Sequence, residues 1–239
     1  NKDGEDPDNH IFFLTKSSPY GCVSHSHGDQ NDFVLFAYGE PLAARSGYYV
    51  GFNTSMHKDW RRQTRSHNLL LVDGQGQYAG MDKAQQLSAK GQVMEVKEEK
   101  NYVYIKENAA QAYRINVPQL EDCTREIYFV DQSYFVLVDT VRLSRAARVD
   151  WLLHSVFPYE IQKDKFFVRG EKAELEGRFV YCSGGIEDIS QTDEFEGVDQ
   201  GEIEGLPRQH HLDMKTKAAK NHVIVTLLVP SKAGERKVV

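Results

Sequence analysis

The sequence predicts an all-β chain, an antiparallel sandwich of two sheets. Short runs rich in β-branched and aromatic residues recur along it, with turn residues between them. Helical patterning is sparse, confined to DKAQQLSAKG (residues 82–91), which is long enough for two turns and is ended by Gly91. No fixed-period repeat points to a solenoid. Many strands with little helix bury their apolar faces by packing sheet on sheet.

Taken in order, residues 1–9 are polar and expected to be loose, and HIFFLTK (10–16) reads as the first strand. DFVLFAYGEPL (32–42) reads as a second, closed by Gly39 and Pro41, and HNLLLVDG (67–74) as a third, ended by a turn. QVMEVKEE (92–99) and YVYIKEN (102–108) are separated by a turn near Lys100 and Asn101. REIYFVDQSYFVLVDTVRL (125–143) predicts a hairpin through Asp131, Gln132 and Ser133. RVDWLLHSVF, FFVRG, AELEG, RFVYCS and HVIVTLLVP complete the strands. Residues 185–207 carry Glu187, Asp188, Asp193, Glu194, Glu196, Asp199, Glu202 and Glu204 among glycines and read as a solvated loop; no calcium-loop spacing is present.

At 239 residues the chain is long enough for one large domain, and no boundary is visible inside residues 1–239. Beginning NKDGEDPDNH, without Met, it reads as a fragment of something longer. The net charge of -6 argues against a general nucleic-acid binder. No apolar run is long enough to span a membrane, and no signal peptide is visible. Cys22, Cys123 and Cys182 are too few and scattered for a disulfide framework.

Two clusters can carry chemistry. SHSHGDQNDF (24–33) places His25, His27 and Asp29 two apart, so an extended segment would turn all three to one face. An HxH pair with a distant third ligand, such as His67, suits zinc; a polar turn with hydrogen-bonded histidines is the alternative. The second cluster is HKDWRRQTRSHN (57–68), with Lys58, Arg61, Arg62, Arg65 and His67 in an otherwise acidic chain. Arginine forks match carboxylate and sulfate oxygens, and Trp60 offers a flat surface for a sugar ring. The substrate-binding candidates are Arg62, Arg65, His67, Asn68 and Trp60, and a charged surface loop is the alternative. Gly74 and Gly76 invite a dinucleotide reading, but the spacing to Gly80 is too long and Asp73 would repel an anion. No nucleophile elbow surrounds Ser24.

The order SHSH-D, G-PLA, SGYY and R-T-SHN--LVDG-GQ, running over about residues 18–78, resembles the heparinase II/III-like polysaccharide lyases, most nearly their oligoalginate lyase branch. The resemblance implies a large antiparallel supersandwich that follows an N-terminal α/α toroid absent from this chain. It implies β-elimination on a uronate-containing, alginate-type polysaccharide, little activity without the toroid, and a periplasmic or secreted location. His25 matches the catalytic-side histidine, as base or partner to the base. Tyr48 or Tyr49 is expected to contribute, with no choice between them. His27 and His67 match ligands of a structural zinc, whose usual aspartate position is Arg45 here. Arginine cannot ligate zinc, so that ligand set is incomplete. A non-catalytic carbohydrate-binding sandwich, a glycosaminoglycan lyase or epimerase, and a zinc hydrolase using His25, His27 and His67 remain as alternatives.

Overall fold

The computed structural model describes residues 6–235, so residues 1–5 of the expected loose N-terminus lie outside the described residues. Among the described residues fifteen strands form three antiparallel sheets. The first sheet is β1 (Ile11–Lys16), β2 (Asp32–Ala37) and β3 (Glu40–Ala43), in that order. The second has eight strands in the order β10-β11-β12-β15-β8-β7-β6-β5. These are β5 (Gln92–Glu98), β6 (Tyr102–Asn108), β7 (Leu120–Val130), β8 (Tyr134–Ala147), β10 (Tyr159–Gln162), β11 (Lys165–Arg169), β12 (Ala173–Cys182) and β15 (Ala219–Lys232). The third runs β13-β14-β9-β4, with β4 (Leu70–Val72), β9 (Val149–Ser155), β13 (Ile186–Thr192) and β14 (His210–Thr216). One core draws on all three sheets, from Phe33 and Leu35 through Trp151 and Leu153 to Ile224 and Leu228. The all-β sandwich is therefore the observed fold. Among the described residues no helix is long and apolar enough to cross a membrane.

The strands follow from side-chain alternation. Along the middle of β8, buried residues alternate with half-buried ones, as a sheet packed on one face requires. β9 is buried throughout, because Trp151 and Leu153 enter the core while His154 on the other face is covered by loops. The hairpin through Asp131 and Gln132 forms as expected, both residues having positive φ (48° and 50°). The short helix Lys83–Ser88 also forms, with Asp82 accepting the Gln85 N–H at its start.

Several boundaries are corrected. DFVLFAYGEPL is a two-strand hairpin, turned at Tyr38 and Gly39 (φ 52° and 85°), with Pro41 on the edge strand β3, where a missing N–H is tolerated. AELEG and RFVYCS are one strand, because at Gly177 the Phe166 ring occupies the space of a side chain; a Cβ there would meet Phe166 Cζ at 1.9 Å. The strand in HNLLLVDG shortens to Leu70–Val72. The acidic run is not one solvated loop: Ile186–Thr192 is β13, and Phe195 and Val198 are buried against Met56 and Trp60.

Candidate functional site

SHSHGDQNDF is a succession of turns, not an extended strand. Ser24 and Asn31 both have positive φ (58° and 66°), so the two-residue alternation does not hold and His25 parts from its neighbours. His25 is exposed, whereas His27 and Asp29 are buried. The loop is zipped to the segment before β4. Gly28 N–H donates to Arg62 O (2.9 Å), Thr64 Oγ1 donates to Gly28 O (2.8 Å), and Arg62 donates to Ser24 O (2.7 Å) and Cys22 O (3.4 Å).

Below this surface lies a polar cluster. His27 Nδ1 and His67 Nε2 are 3.3 Å apart, and the nearest donor atoms of His27, Asp29 and His67 all lie within 4.8 Å of one another. Asp32 accepts from His67 Nδ1 (2.8 Å) and from Asn68 N–H (2.9 Å). Lys16 pairs with Asp29. Burial first, then the neighbouring His67, lowers the His27 pKa to about 2 and leaves that ring neutral. Burial opposes charge on His67 as well, but Asp32 and then Asp29 outweigh it and its pKa is raised. Beneath, Arg125 forms a two-pronged pair with Asp139 (2.7 and 3.0 Å) and donates to Asn31 O (2.9 Å) and Asn68 O (2.7 Å). One buried guanidinium thereby anchors both site loops.

These residues fit a zinc ion. Two imidazole nitrogens bound tetrahedrally at about 2.0–2.1 Å stand about 3.3 Å apart, which is the His27–His67 spacing. Asp32 orients His67 from behind, as carboxylates do for zinc-bound histidines. The third donor open to such an ion would be Asp29, while the exposed Arg45 offers none. Among the described residues this is the only such group of three, so neither a zinc set including His25 nor a calcium role for the acidic run is seen.

At the surface a second cluster gathers around His25. Its ring lies 6.2 Å from Phe52, which lies 4.9 Å from His57. Tyr49 meets His57 edge-on at 6.4 Å, and the Arg61 guanidinium stands 5.2 Å over the Tyr49 ring. Tyr49 and Phe52 are 63% and 56% exposed, open to a ligand. His57 is buried, its Nδ1 has no partner, and burial followed by Arg62 and Arg61 lowers its pKa. It sits on a π-helical turn, Met56–Arg61, whose first N–H groups are capped by Glu202.

Most expected substrate-binding residues face inward. Trp60 is 4% exposed, packs against Phe195 and His211, and donates its indole N–H to Ser46 Oγ (3.0 Å), so it offers no sugar platform. Asn68 is fully buried; its side chain donates to Phe33 O and accepts from His154 N–H. Arg62 and His67 are buried, acting on the loop and on Asp32. Arg65 is half-buried and pairs with Glu196 (2.6 Å). Tyr48 donates its hydroxyl to Pro207 O (2.5 Å) and packs on Phe195, which leaves Tyr49 as the open tyrosine. Phe52 is not singled out by the sequence, and His57 enters there only as the first residue of the charged cluster 57–68; the turn that folds Phe52 onto His57 has no periodic signature.

The fold recurs in solved structures. The heparan sulfate lyase HepC mutant from Pedobacter heparinus superposes with TM-score 0.68 at 21% identity, covering 95% of this chain and 34% of that one. The heparinase III BT4657 gene product gives TM-score 0.67 at 18% identity, covering 92% and 33%. A structure described as heparinase III gives 0.62 at 17%, covering 90% and 31%. This chain thus spans about a third of the length of those structures. Among curated proteins none matches the sequence. The family described as heparinase II/III-like, C-terminal, matches residues 5–224, and the chain belongs to that family.

Proposed function

We propose that this chain is the sandwich part of a polysaccharide lyase that cleaves a uronate-containing polysaccharide by β-elimination. The observation that carries the reading is the exposed His25 against Phe52, which packs on the buried His57, with Tyr49, itself under the Arg61 guanidinium, edge-on to the same His57. In the reaction a base takes the proton at C5 of the uronate. The C4–O4 bond breaks with its electrons leaving on O4, a C4–C5 double bond forms, and O4 takes a proton. His25 stands as the base or its partner, and Tyr49, the exposed tyrosine of this surface, is the phenol that would deliver the proton. Cations near the carboxylate stabilise the charge that builds there as C5 loses its proton.

The substrate is an alginate-type or a glycosaminoglycan-type uronate chain. The motif order over residues 18–78 supports the first, and the heparan sulfate lyases that share the fold support the second. The rest of the cleft belongs to a toroid outside these 239 residues, and an extracellular polymer substrate implies a periplasmic or secreted enzyme. His27, Asp29 and His67 hold a structural zinc that braces the loop beside His25 and takes no part in the proton transfers.

The test is to incubate the full-length protein with alginate, heparan sulfate and chondroitin oligosaccharides and follow the ultraviolet absorbance of unsaturated uronate. Product from one substrate, lost by at least 100-fold in His25→Ala, is expected. Sugar binding without product from any of the three, in protein that is folded, would instead make this a carbohydrate-binding sandwich.

A further inference from the structure

Most cations that the sequence offers to an anionic ligand are taken up inside the protein. Arg62 holds the loop before His25, Arg65 pairs with Glu196, and Lys16 pairs with Asp29. Arg45 and Arg61 differ. Among the described residues neither guanidinium has a carboxylate or hydrogen-bond partner, and Arg61 Nε is buried with none. The Arg61 head stands over the Tyr49 ring. Arg45 is exposed, and the segment it opens lies against Arg61: Trp60 donates its indole N–H to Ser46 Oγ (3.0 Å), and a Cβ on Gly47 would meet Arg61 Cγ at 2.6 Å; consistent with that placement, Arg45 follows burial as a cause lowering the Arg61 pKa. Among the described residues no carboxylate is set against this pair, in a chain with 35 acidic side chains. Two like charges held together without a counter-ion repel one another, and an anion between them relieves that repulsion.

We propose that Arg45 and Arg61 form an oxyanion-binding pair that takes an anionic group of the polysaccharide, a uronate carboxylate or an O-sulfate, next to His25. Tyr49 is the floor of the pair. Each guanidinium presents paired N–H donors that match two oxygens of either group. The placement follows from continuity, since Arg61 lies on Tyr49, Tyr49 on His57, and Phe52 bridges His57 to His25. This inference rests on the polysaccharide reading above and names the residues that select an acidic chain.

The experiment is calorimetric titration of the full-length protein with an unsulfated alginate tetrasaccharide and with a sulfated heparan tetrasaccharide, alongside melting curves and initial rates. Arg45→Gln and Arg61→Gln are each expected to weaken binding about 10- to 100-fold, the scale of a lost charge-assisted hydrogen bond. Their melting temperatures are expected to hold or rise, because each removes a like charge. Lys at either position keeps the charge without the fork and should fall between. Weakening with both ligands assigns the carboxylate, and weakening with the sulfated ligand alone assigns the sulfate. Unchanged affinity for both ligands would overturn the pair, as would equal binding loss in the Gln and Lys variants together with lowered melting temperatures. If the wild type binds but releases no unsaturated product, the lyase reading falls and the pair stands. If it cleaves and the variants keep its KM, the pair falls and the lyase reading stands. A wild type that binds neither ligand overturns both.

Discussion

Glu107 shows how a single buried group sets a pH dependence. It lies on β6 with no exposed surface, accepts from Thr15 Oγ1 (2.6 Å) across the sheets, and leaves its second oxygen without a partner. Burial raises its pKa from 4.5 to about 7, against the lowering effects of Thr15 and Arg125. The folded protein therefore holds a proton that the unfolded chain releases first. Stability from this group is fully present below about pH 4.5, falls as pH rises through about 7, and is flat above. The displacement corresponds to on the order of 3 kcal/mol. Glu107→Gln, which cannot ionise, is expected to remove that slope. Denaturant unfolding of wild type and variant at pH 5 and pH 8 should show the gap between them change by about that amount, and parallel profiles would refute the assignment.

The same scale shows what could be read from sequence. The types and spacing of His25, His27, Asp29 and His67 marked the neighbourhood of the site. Their directions were not legible, because Ser24 and Asn31 adopt positive φ and undo the two-residue alternation. Trp60 and Asn68 looked available because polar and aromatic residues in a charged run resemble a surface. Their burial depends on Ser46, His154, Phe195 and His211, all distant in the chain or on other elements.

At the scale of elements, the candidate site is a meeting of two loops over two sheet edges. Residues 21–31 lead into β2, and residues 62–69 lead into β4. Arg125 on β7 fixes both through carbonyls, and Asp139 on β8, itself bonded to the Trp151 indole, fixes Arg125. Hairpins with clear turn residues, such as β7–β8, were legible. β10, β13 and β14 were not, because they are short or polar and gain strand structure from their partners. A metal on His27, Asp29 and His67 would tie the same two loops together and so stabilise the fold by mass action. One equivalent of zinc is expected by elemental analysis, and its removal by chelator should lower the melting temperature. At a free zinc concentration 100-fold above Kd, the gain is about 2.7 kcal/mol. Asp29→Ala should abolish the response to zinc, whereas Asp213→Ala, far from the group, should keep it. A melting temperature indifferent to zinc and chelator would leave Lys16, Asp29 and the His27–His67 hydrogen bond as a metal-free brace.

For the whole molecule, the core and the candidate site make different demands on the chain. The core is complete within the described residues: its buried cluster runs through all three sheets, and Trp151, Phe166 and Phe179 pack together at its centre. The candidate site is open. His25, Tyr49 and Phe52 face outward, and no side chain of the described residues closes over them from the far side. Elimination requires base, acid and carboxylate clamp around one sugar with water excluded. An open surface supplies some of these groups and excludes little water. The isolated 239-residue chain is thus expected to unfold cooperatively, with ordinary β-sheet circular dichroism, and to release no measurable unsaturated uronate from a substrate that the full-length protein cleaves. Turnover by the isolated chain within tenfold of the full-length rate would place every essential group on this surface. His57, buried beneath Tyr49 and Phe52 with a free ring nitrogen, would then be the first residue to test as the partner of His25.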